Sequence, residues 1–315
     1  MRILVTGGSG FIGSNLVDYL LNNSNVEFVR VLDNLSTGSI KNLYDFRLNP
    51  KLDIMIGDMA DRDVCNKACQ GIDLISCQAA LGSVPRSMKT PLSSHHSNVN
   101  AFIVLLETAR QCGIKRIVYA SSSSVYGHTK NVDDLNYCHP VSFYGMTKHV
   151  NDLYASFYTK YFDMECIGLR YHNVFGDKQK MKGEYCAVIP IFISRCLQNL
   201  SIDIHGDGKQ YRDFTHVDNV IHANMLALTT TNADVFGMSI DIGSNTKVSV
   251  LELADSIIKH TSSNSNKVFV DRREGDIFAS CAVMDTSRDL LGYFPVTSFD
   301  IGLIKTIKYY NKCVK

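Results

Sequence analysis

The sequence predicts an α/β protein built on a doubly wound parallel sheet, with a smaller mixed α/β domain attached. Three observations carry that expectation. Short β-branched runs alternate with longer stretches of helical period. The early runs are apolar on both faces, as strands covered by helices on each side must be. A glycine-rich turn, TGGSGFIG at 6–13, joins the first run to the first helical stretch.

The strands expected are Arg2–Thr6, Phe28–Asp33, Leu52–Gly57, Leu74–Gln78, Arg116–Ser121 and Glu165–Arg170. Phe11–Leu21 reads as a helix. Asn98–Cys112 reads as another, closed by Gly113 at a C-cap position. A third runs from Phe143 to Tyr161. Such alternation builds right-handed βαβ units. After residue 171 the pattern becomes irregular, and helices Ala187–Gln198 and Val250–His260 are separated by short strands. The expected division is a first domain over 1–170 and a second over 171–315. Segments near 215–243 return to the first.

Composition narrows the function classes. The chain has 315 residues and a formal net charge of +1, with no long run of one sign. That argues against a general binder of nucleic acid or acidic membranes. No stretch is long and apolar enough to span a bilayer, and the N-terminus lacks a signal-peptide pattern. Ten cysteines are present, but no CxxC occurs. We expect reduced, mostly buried thiols, no metal site and a cytoplasmic location.

Gly7, Gly10 and Gly13 form GxxGxxG between a strand and a helix. Such a turn needs positive φ, and a Cβ would keep a pyrophosphate from the backbone. The helix N-terminus offers free N–H groups to the anion. Asp33 ends the second strand, where a carboxylate reaches an adenosine ribose. The set predicts a Rossmann dinucleotide site. Asp33 would repel a 2′-phosphate and Asn34 follows it rather than arginine, so NAD is favoured over NADP.

FYGMTKH at 143–149 places Tyr144 and Lys148 on one helix face. Taking hydride from a carbinol requires its hydroxyl proton to leave as well. A phenol can take that proton when a nearby cation lowers its pKa, and Lys148 is such a cation. ASSSSVYG at 120–127 continues a buried strand, so its serines are not a linker. They end the strand at its carboxyl edge, where open α/β sheets bind ligands. A hydroxyl there can hold the substrate oxygen while Tyr144 takes its proton.

Together TGGSGFIG, the strand-end serines and YGMTK resemble an extended short-chain dehydrogenase/reductase. DNLSTG at 33–38, LRYHNVFG at 169–176, VIP at 188–190, YRDF at 211–214 and RREGD at 272–276 are similar to sugar-nucleotide 4-epimerases. AALGSVPRS at 79–87 resembles the UDP-N-acetylglucosamine 4-epimerase branch. The resemblance implies NAD as cofactor, a UDP-sugar as substrate and a substrate-binding second domain. It implies Ser122, Tyr144 and Lys148 as catalytic residues, with Ser123 against the sugar. It places Phe11, Ile12, Asp33, Asn34, Asp58, Met59, Ala79 and Asn98 along the NAD, and Gly82 and Ser83 at the hexose. Asn173, Arg212 and Arg273 would hold the diphosphate, the backbone near Val188 the uracil, and Asp276 the uridine ribose. The family commonly has phenylalanine where this chain has His172. That position is expected beside the nicotinamide.

The residues after the strand-end Ser122 bear on the reaction. Dehydratases and decarboxylases of this resemblance carry acids there; this chain has Ser123 and Ser124. Reversible C4 epimerisation of UDP-GlcNAc and UDP-GalNAc is therefore expected. UDP-glucose or UDP-uronic acid epimerisation and 4-ketoreduction are the alternatives, with a non-catalytic NAD-binding regulator more remote. Ser280 aligns with a gate residue, where a small side chain leaves room for a 2-acetamido group. The helices from Asn98 and Phe143 carry apolar residues on more than one face. In the family the equivalent pair forms a four-helix dimer interface, so a homodimer is expected.

Overall fold

The computed structural model describes residues 1–127, 138–181, 183, 185–272 and 279–314. In chain order the first half is β1 (Arg2–Thr6), α1 (Phe11–Leu21), β2 (Phe28–Asp33), β3 (Leu52–Ile56), α2 (Arg62–Cys69), β4 (Leu74–Cys77), α3 (Val84–Lys89), α4 (Pro91–His95), α5 (Ala101–Gln111) and β5 (Arg116–Ser122). The second half is α6 (Phe143–Phe162), β6 (Glu165–Tyr171), α7 (Val188–Cys196), β7 (Ile202–His205), β8 (Tyr211–Arg212), α8 (Val217–Thr229), β9 (Ser239–Ile242), β10 (Val248–Ser249), α9 (Val250–Thr261), β11 (Lys267–Val270), β12 (Ala279–Ser280), α10 (Asp285–Leu291) and α11 (Phe299–Val314).

Seven strands form one sheet in the order β3-β2-β1-β4-β5-β6-β9, parallel throughout. The order reverses direction between β1 and β4, and a crevice opens there at the carboxyl ends. Strand β1 shows why the sheet is covered twice. Leu4 packs into a core with α2 and α5 residues such as Cys65, Phe102 and Leu105. Ile3 and Val5 face a second core with Leu16 and Leu20 of α1 and Val217 and Ile221 of α8. Each such side chain contributes about 1.5–3 kcal/mol when removed from water.

The expectation of two apolar faces fails at β3. It is one of the sheet's two edge strands, only half-buried, and Ile56 is 58% exposed. The other edge strand, β9, is covered by α8 and α10, whereas β3 lacks such a helix over its outer end. The helix expected over Asn98–Cys112 also differs. Residues His96–Asn100 form a wider π-helical turn before α5 begins. It falls on Asn98, whose amide is bonded to both backbone groups of Leu81.

The remaining strands make two small sheets, β10-β8-β12 and β11-β7. Their core includes Ile193, Ile202, Ile204, Leu253 and Leu303. Strand β9 and helix α8 instead join the main sheet, with Val220, Ala223 and Ile240 in one cluster beside Val118 and Ile167.

Candidate active site

A cleft of about 490 Å³ lies at the carboxyl ends of the main sheet. Its floor is the glycine turn. Gly7 has φ +67°, and a Cβ there would sit 2.7 Å from the Ala79 backbone. A Cβ on Gly13 would sit 2.2 Å from the Gly7 carbonyl oxygen. The glycines are therefore required by the chain's own close approach, before any ligand enters. Gly10 caps α1 without a side-chain bond, so by position the first N–H groups of the helix have no intrahelical acceptor. Gly10, Phe11, Ile12 and Gly13 all line the cleft.

Asp33 lines it too, held from two sides. Its Oδ2 accepts from Ser9 N at 2.9 Å and its Oδ1 from Leu35 N at 2.8 Å. Asn34 donates to Asp58 Oδ2 at 3.0 Å, and Ala60 N donates to Asp58 Oδ1 at 2.8 Å. Asn34, Asp58, Met59 and Ala79 complete this end of the wall. A pyrophosphate at the glycine turn and a ribose at Asp33 are what these groups can hold, so the cradle fits NAD.

The chemistry-bearing side chains enter from β5 and α6. Ser122 is the last residue of β5, and its Oγ accepts from Ser124 N at 3.1 Å. Ser142 caps α6 by accepting from Gly145 N at 3.0 Å. Tyr144 N donates to Ser87 Oγ at 2.8 Å, tying the start of α6 to α3. One turn on, Lys148 is buried, and its Nζ donates to the Ala120 carbonyl at 2.6 Å. That Nζ lies 5.9 Å from the centre of the Tyr144 ring. Ser122, Ser123, Tyr144 and Lys148 all line the cleft, together with Gly82, Ser83 and Asn173. A serine acceptor, a phenol and a buried ammonium thus meet one ligand space, the set needed to move a proton on a carbinol.

A second cavity of about 730 Å³ shares Gly82, Ser83 and Asn173 with the first and runs on to Val188. Arg86, Lys178, Lys180 and Tyr185 line it, and the Arg86 guanidinium stacks over the Tyr185 ring at 4.5 Å. Sequence reasoning missed these residues. It also missed Gln78 and Tyr171, which line the first cleft joined by a 3.1 Å hydrogen bond. No periodicity distinguishes a polar strand-end residue from any other.

Several expected residues stand elsewhere. Asn98 lies behind the wall, buried, donating to Leu81 O and Thr147 Oγ1 and accepting from Leu81 N. His172 lines neither cavity; its ring is 1% exposed and its Nε2 lies 3.3 Å from Asp241 Oδ1. Arg212 lines neither cavity and pairs through β8 with Ser280 of β12. Arg273 and Asp276 lie outside the described residues. Among the described residues, no group of His, Cys, Asp and Glu is arranged to hold a metal. No helix among them is long and apolar enough to cross a membrane.

Residues 3–243 match the model of the NAD dependent epimerase/dehydratase family. A UDP-glucose 4-epimerase of Mycolicibacterium smegmatis is 31% identical over 99% of both chains. The UDP-N-acetylglucosamine 4-epimerase of Methanobrevibacter ruminantium, solved with UDP-N-acetylmuramic acid, superposes with a TM-score of 0.92. It is 32% identical, over 99% of this chain and 98% of that one. The UDP-glucuronic acid 4-epimerase of Bacillus cereus, solved with UDP-glucuronic acid and NAD, also has a TM-score of 0.92. It is 29% identical over 99% of this chain and 100% of that one. With its glycine cradle, its Asp33 and its serine–tyrosine–lysine set in one cleft, this chain belongs to the NAD dependent epimerase/dehydratase family of enzymes.

Proposed function

We propose that the protein interconverts UDP-GlcNAc and UDP-GalNAc by inverting C4. The observation that carries this reading is the meeting of Ser122, Tyr144 and Lys148 in one cleft whose serine turn contains no acid. Elimination of water or loss of a carboxyl group needs a further proton donor or acceptor near the sugar. Ser123 and Ser124 are poor ones. Inversion needs a single acid/base that works in both directions.

NAD, when bound on the glycine turn, supplies the acceptor and donor of the C4 hydride. The chain's own residues do the rest. Ser122 holds the 4-oxygen, Tyr144 takes the 4-hydroxyl proton and later returns it, and Lys148 keeps positive charge behind the phenol. The second cavity holds the nucleotide, with Asn173 and the Val188 backbone along it; Arg86, Lys178 and Lys180 add charge for the diphosphate. The resemblance assigns Arg273 to the diphosphate and Asp276 to the uridine ribose; Arg212, which it also places at the diphosphate, lines neither cavity. Residues 171–315 are mainly the substrate domain. Ser280 supports the acetamido sugar, as does the likeness to the Methanobrevibacter ruminantium enzyme. The exposed apolar face of α6 supports a homodimer, and a cytoplasmic location agrees with ten free cysteines.

Proton NMR of the purified protein with UDP-GlcNAc and no added NAD tests the reading. Appearance of UDP-GalNAc is the expected result. Conversion of UDP-glucose but not UDP-GlcNAc would replace it with the plain hexose pair, the activity named for the Mycolicibacterium smegmatis relative. Conversion of neither overturns it.

A further inference from the structure

Arg170 is a largely buried cation outside both cavities. It stands on β6 in the LRYHNVFG stretch, and its side chain is 12% exposed. In the sheet it lies opposite Ser121 of β5, one residue before Ser122. A guanidinium stays charged across the pH range of folded proteins and donates from five N–H groups in a fixed fork. Its contacts therefore do not wait on a titration.

The fork reaches two elements of the site at once. Nε and Nη2 both donate to Asp152 Oδ2, at 3.2 and 3.1 Å. Asp152 belongs to α6 and follows Tyr144 and Lys148 at steps of four, so the three share a helix face. Its Oδ1 accepts from the Tyr119 hydroxyl of β5 at 3.1 Å. Nη1 of Arg170 donates to the Tyr126 oxygen at 2.9 Å, and Nη2 also reaches Cys138 Sγ at 3.5 Å. Tyr126 closes the serine turn, its own N–H donating to Ser123 O at 3.2 Å. Its hydroxyl in turn donates to Asp241 Oδ1 at 2.8 Å.

These bonds complete a joint whose other side is pure packing. Gly145 of α6 rests on the turn at Ser124, so the helix and the turn cannot come closer. Packing of that kind sets the least separation and leaves the greatest open. Ser122 Oγ is engaged within its own turn, by Ser124 N, which does not tie it to α6. The Arg170 fork does tie the two, with charge-assisted bonds to the helix through Asp152 and to the turn through Tyr126.

We propose that Arg170 is a positioning residue, which through Asp152 and Tyr126 fixes the distance between the Tyr144 helix and the turn that carries Ser122. The proposal rests on the roles proposed above for Ser122 and Tyr144. Both side chains must reach one sugar oxygen, and they come from different elements. Without the clamp the turn is free to draw away from α6, and the serine loses an oxygen that the phenol still reaches. Binding of the nucleotide, which is assigned to the second cavity, stays as it was.

Tyr126→Phe is the mildest test, since it keeps the ring and the Arg170–Asp152 pair. On the purified, NAD-containing protein we expect kcat to fall about tenfold, with KM changed less than about twofold and NAD content unchanged. Hydrogen–deuterium exchange should quicken in the peptide 120–127 and not in the α6 peptide. Arg170→Lys keeps a charge, but a single ammonium cannot serve Asp152 and Tyr126 as the fork does, so it is expected to lose at least as much. In the double variant the two losses should not add, because both break one link. Additive losses would mean that the Tyr126 hydroxyl acts through Asp241 instead, and overturn the proposal. Wild-type kcat or wild-type exchange in Tyr126→Phe overturns it as well. A wild-type protein that inverts no UDP-sugar ends the reading of the reaction; quickened exchange in Tyr126→Phe would then still support the clamp, and unchanged exchange would still overturn it.

Discussion

Gly145 of α6 packs directly on Ser124 of the serine turn: a Cβ on the glycine would lie 2.3 Å from the serine carbonyl oxygen. The glycine between Tyr144 and Met146 thus sets the distance between the tyrosine helix and the turn that carries Ser122. Gly145→Ala must push the two apart. A misplacement of about 1 Å at reacting groups can cost about 100-fold in rate. We expect kcat to fall by about that factor while bound NAD is retained, read by the absorbance of the purified variant and by single-substrate kinetics.

Tyr144→Phe removes the proton-transferring oxygen and keeps the ring. General acid–base groups contribute about 100- to 10,000-fold. The expected outcome is a kcat loss in that range with little change in KM, because the phenol acts on one bond rather than on the nucleotide. Lys148→Met should lose as much and also weaken cofactor retention, since the buried Nζ bonded to Ala120 O is what fills that corner of the cleft. A Tyr144→Phe protein with wild-type kcat would end the proposed role.

Much of this site is legible before any coordinates. Helix Phe11–Leu21 has the bounds its period and glycine turn imply, and β5 runs one residue past its expected end. Those signals are local: periodicity, turn chemistry and short motifs. The rest depends on groups brought together from far along the chain. The Tyr126–Asp241 bond spans 115 residues, and the Asn98–Thr147 bond spans 49. Nothing near Asn98 marks it as a clamp on Leu81 rather than a wall of the cleft. Nothing near His172 marks the aspartate it faces. Strand β3 reads as covered because its residues are apolar, whereas its edge position leaves Ile56 out. Sequence pattern reports what a residue prefers; the order of strands decides what it meets.

Asp218 makes folding stability pH-dependent. Burial alone would raise its carboxyl, but the adjacent His216 ring and the hydrogen-bonded Lys305 ammonium overcome this and hold it well below the ordinary carboxylate range. The distances are 3.2 Å to His216 Nδ1 and 2.8 Å to Lys305 Nζ. A carboxyl depressed on folding adds stability above its unfolded pKa of about 3.9, lost as pH falls through the folded value. Asp218→Asn should therefore lower the urea midpoint at about pH 7, and the gap to wild type should shrink as the pH is taken below about 4. A gap that does not change with pH would show that the carboxylate's charge is not what stabilises α8 against α11.

The α6 surface predicts self-association. Leu153, Phe157 and Tyr161 recur at helical spacing and stay exposed, Phe157 at 51% and Tyr161 at 58%. Phe157 packs on both Tyr161 and Phe162, so the patch is continuous. Exposed apolar area of this kind marks an interface. Sedimentation equilibrium should give twice the chain mass for the wild type and the chain mass for a Phe157→Glu, Tyr161→Glu double variant. A monomeric wild type at micromolar concentration would remove the homodimer.

The last prediction concerns which sugar is accepted. Strand β12 pairs in parallel with β8, which sets Ser280 opposite Arg212. If that pair borders the sugar nucleotide, the size of residue 280 decides whether a 2-acetamido group fits. Ser280→Tyr adds a ring on β12 just before the Ala282 and Val283 N–H groups that donate to Asp213 and Asp241, which tie the end of this segment to the fold. Turnover of UDP-GlcNAc should fall at least about tenfold, more than the few-fold change expected for UDP-glucose, since steric exclusion acts only on the larger group. Competition assays with both sugars in one NMR tube give the ratio directly. An equal loss on both would mean that the tyrosine disturbs the strand rather than the sugar, and residue 280 would no longer explain acetamido selectivity.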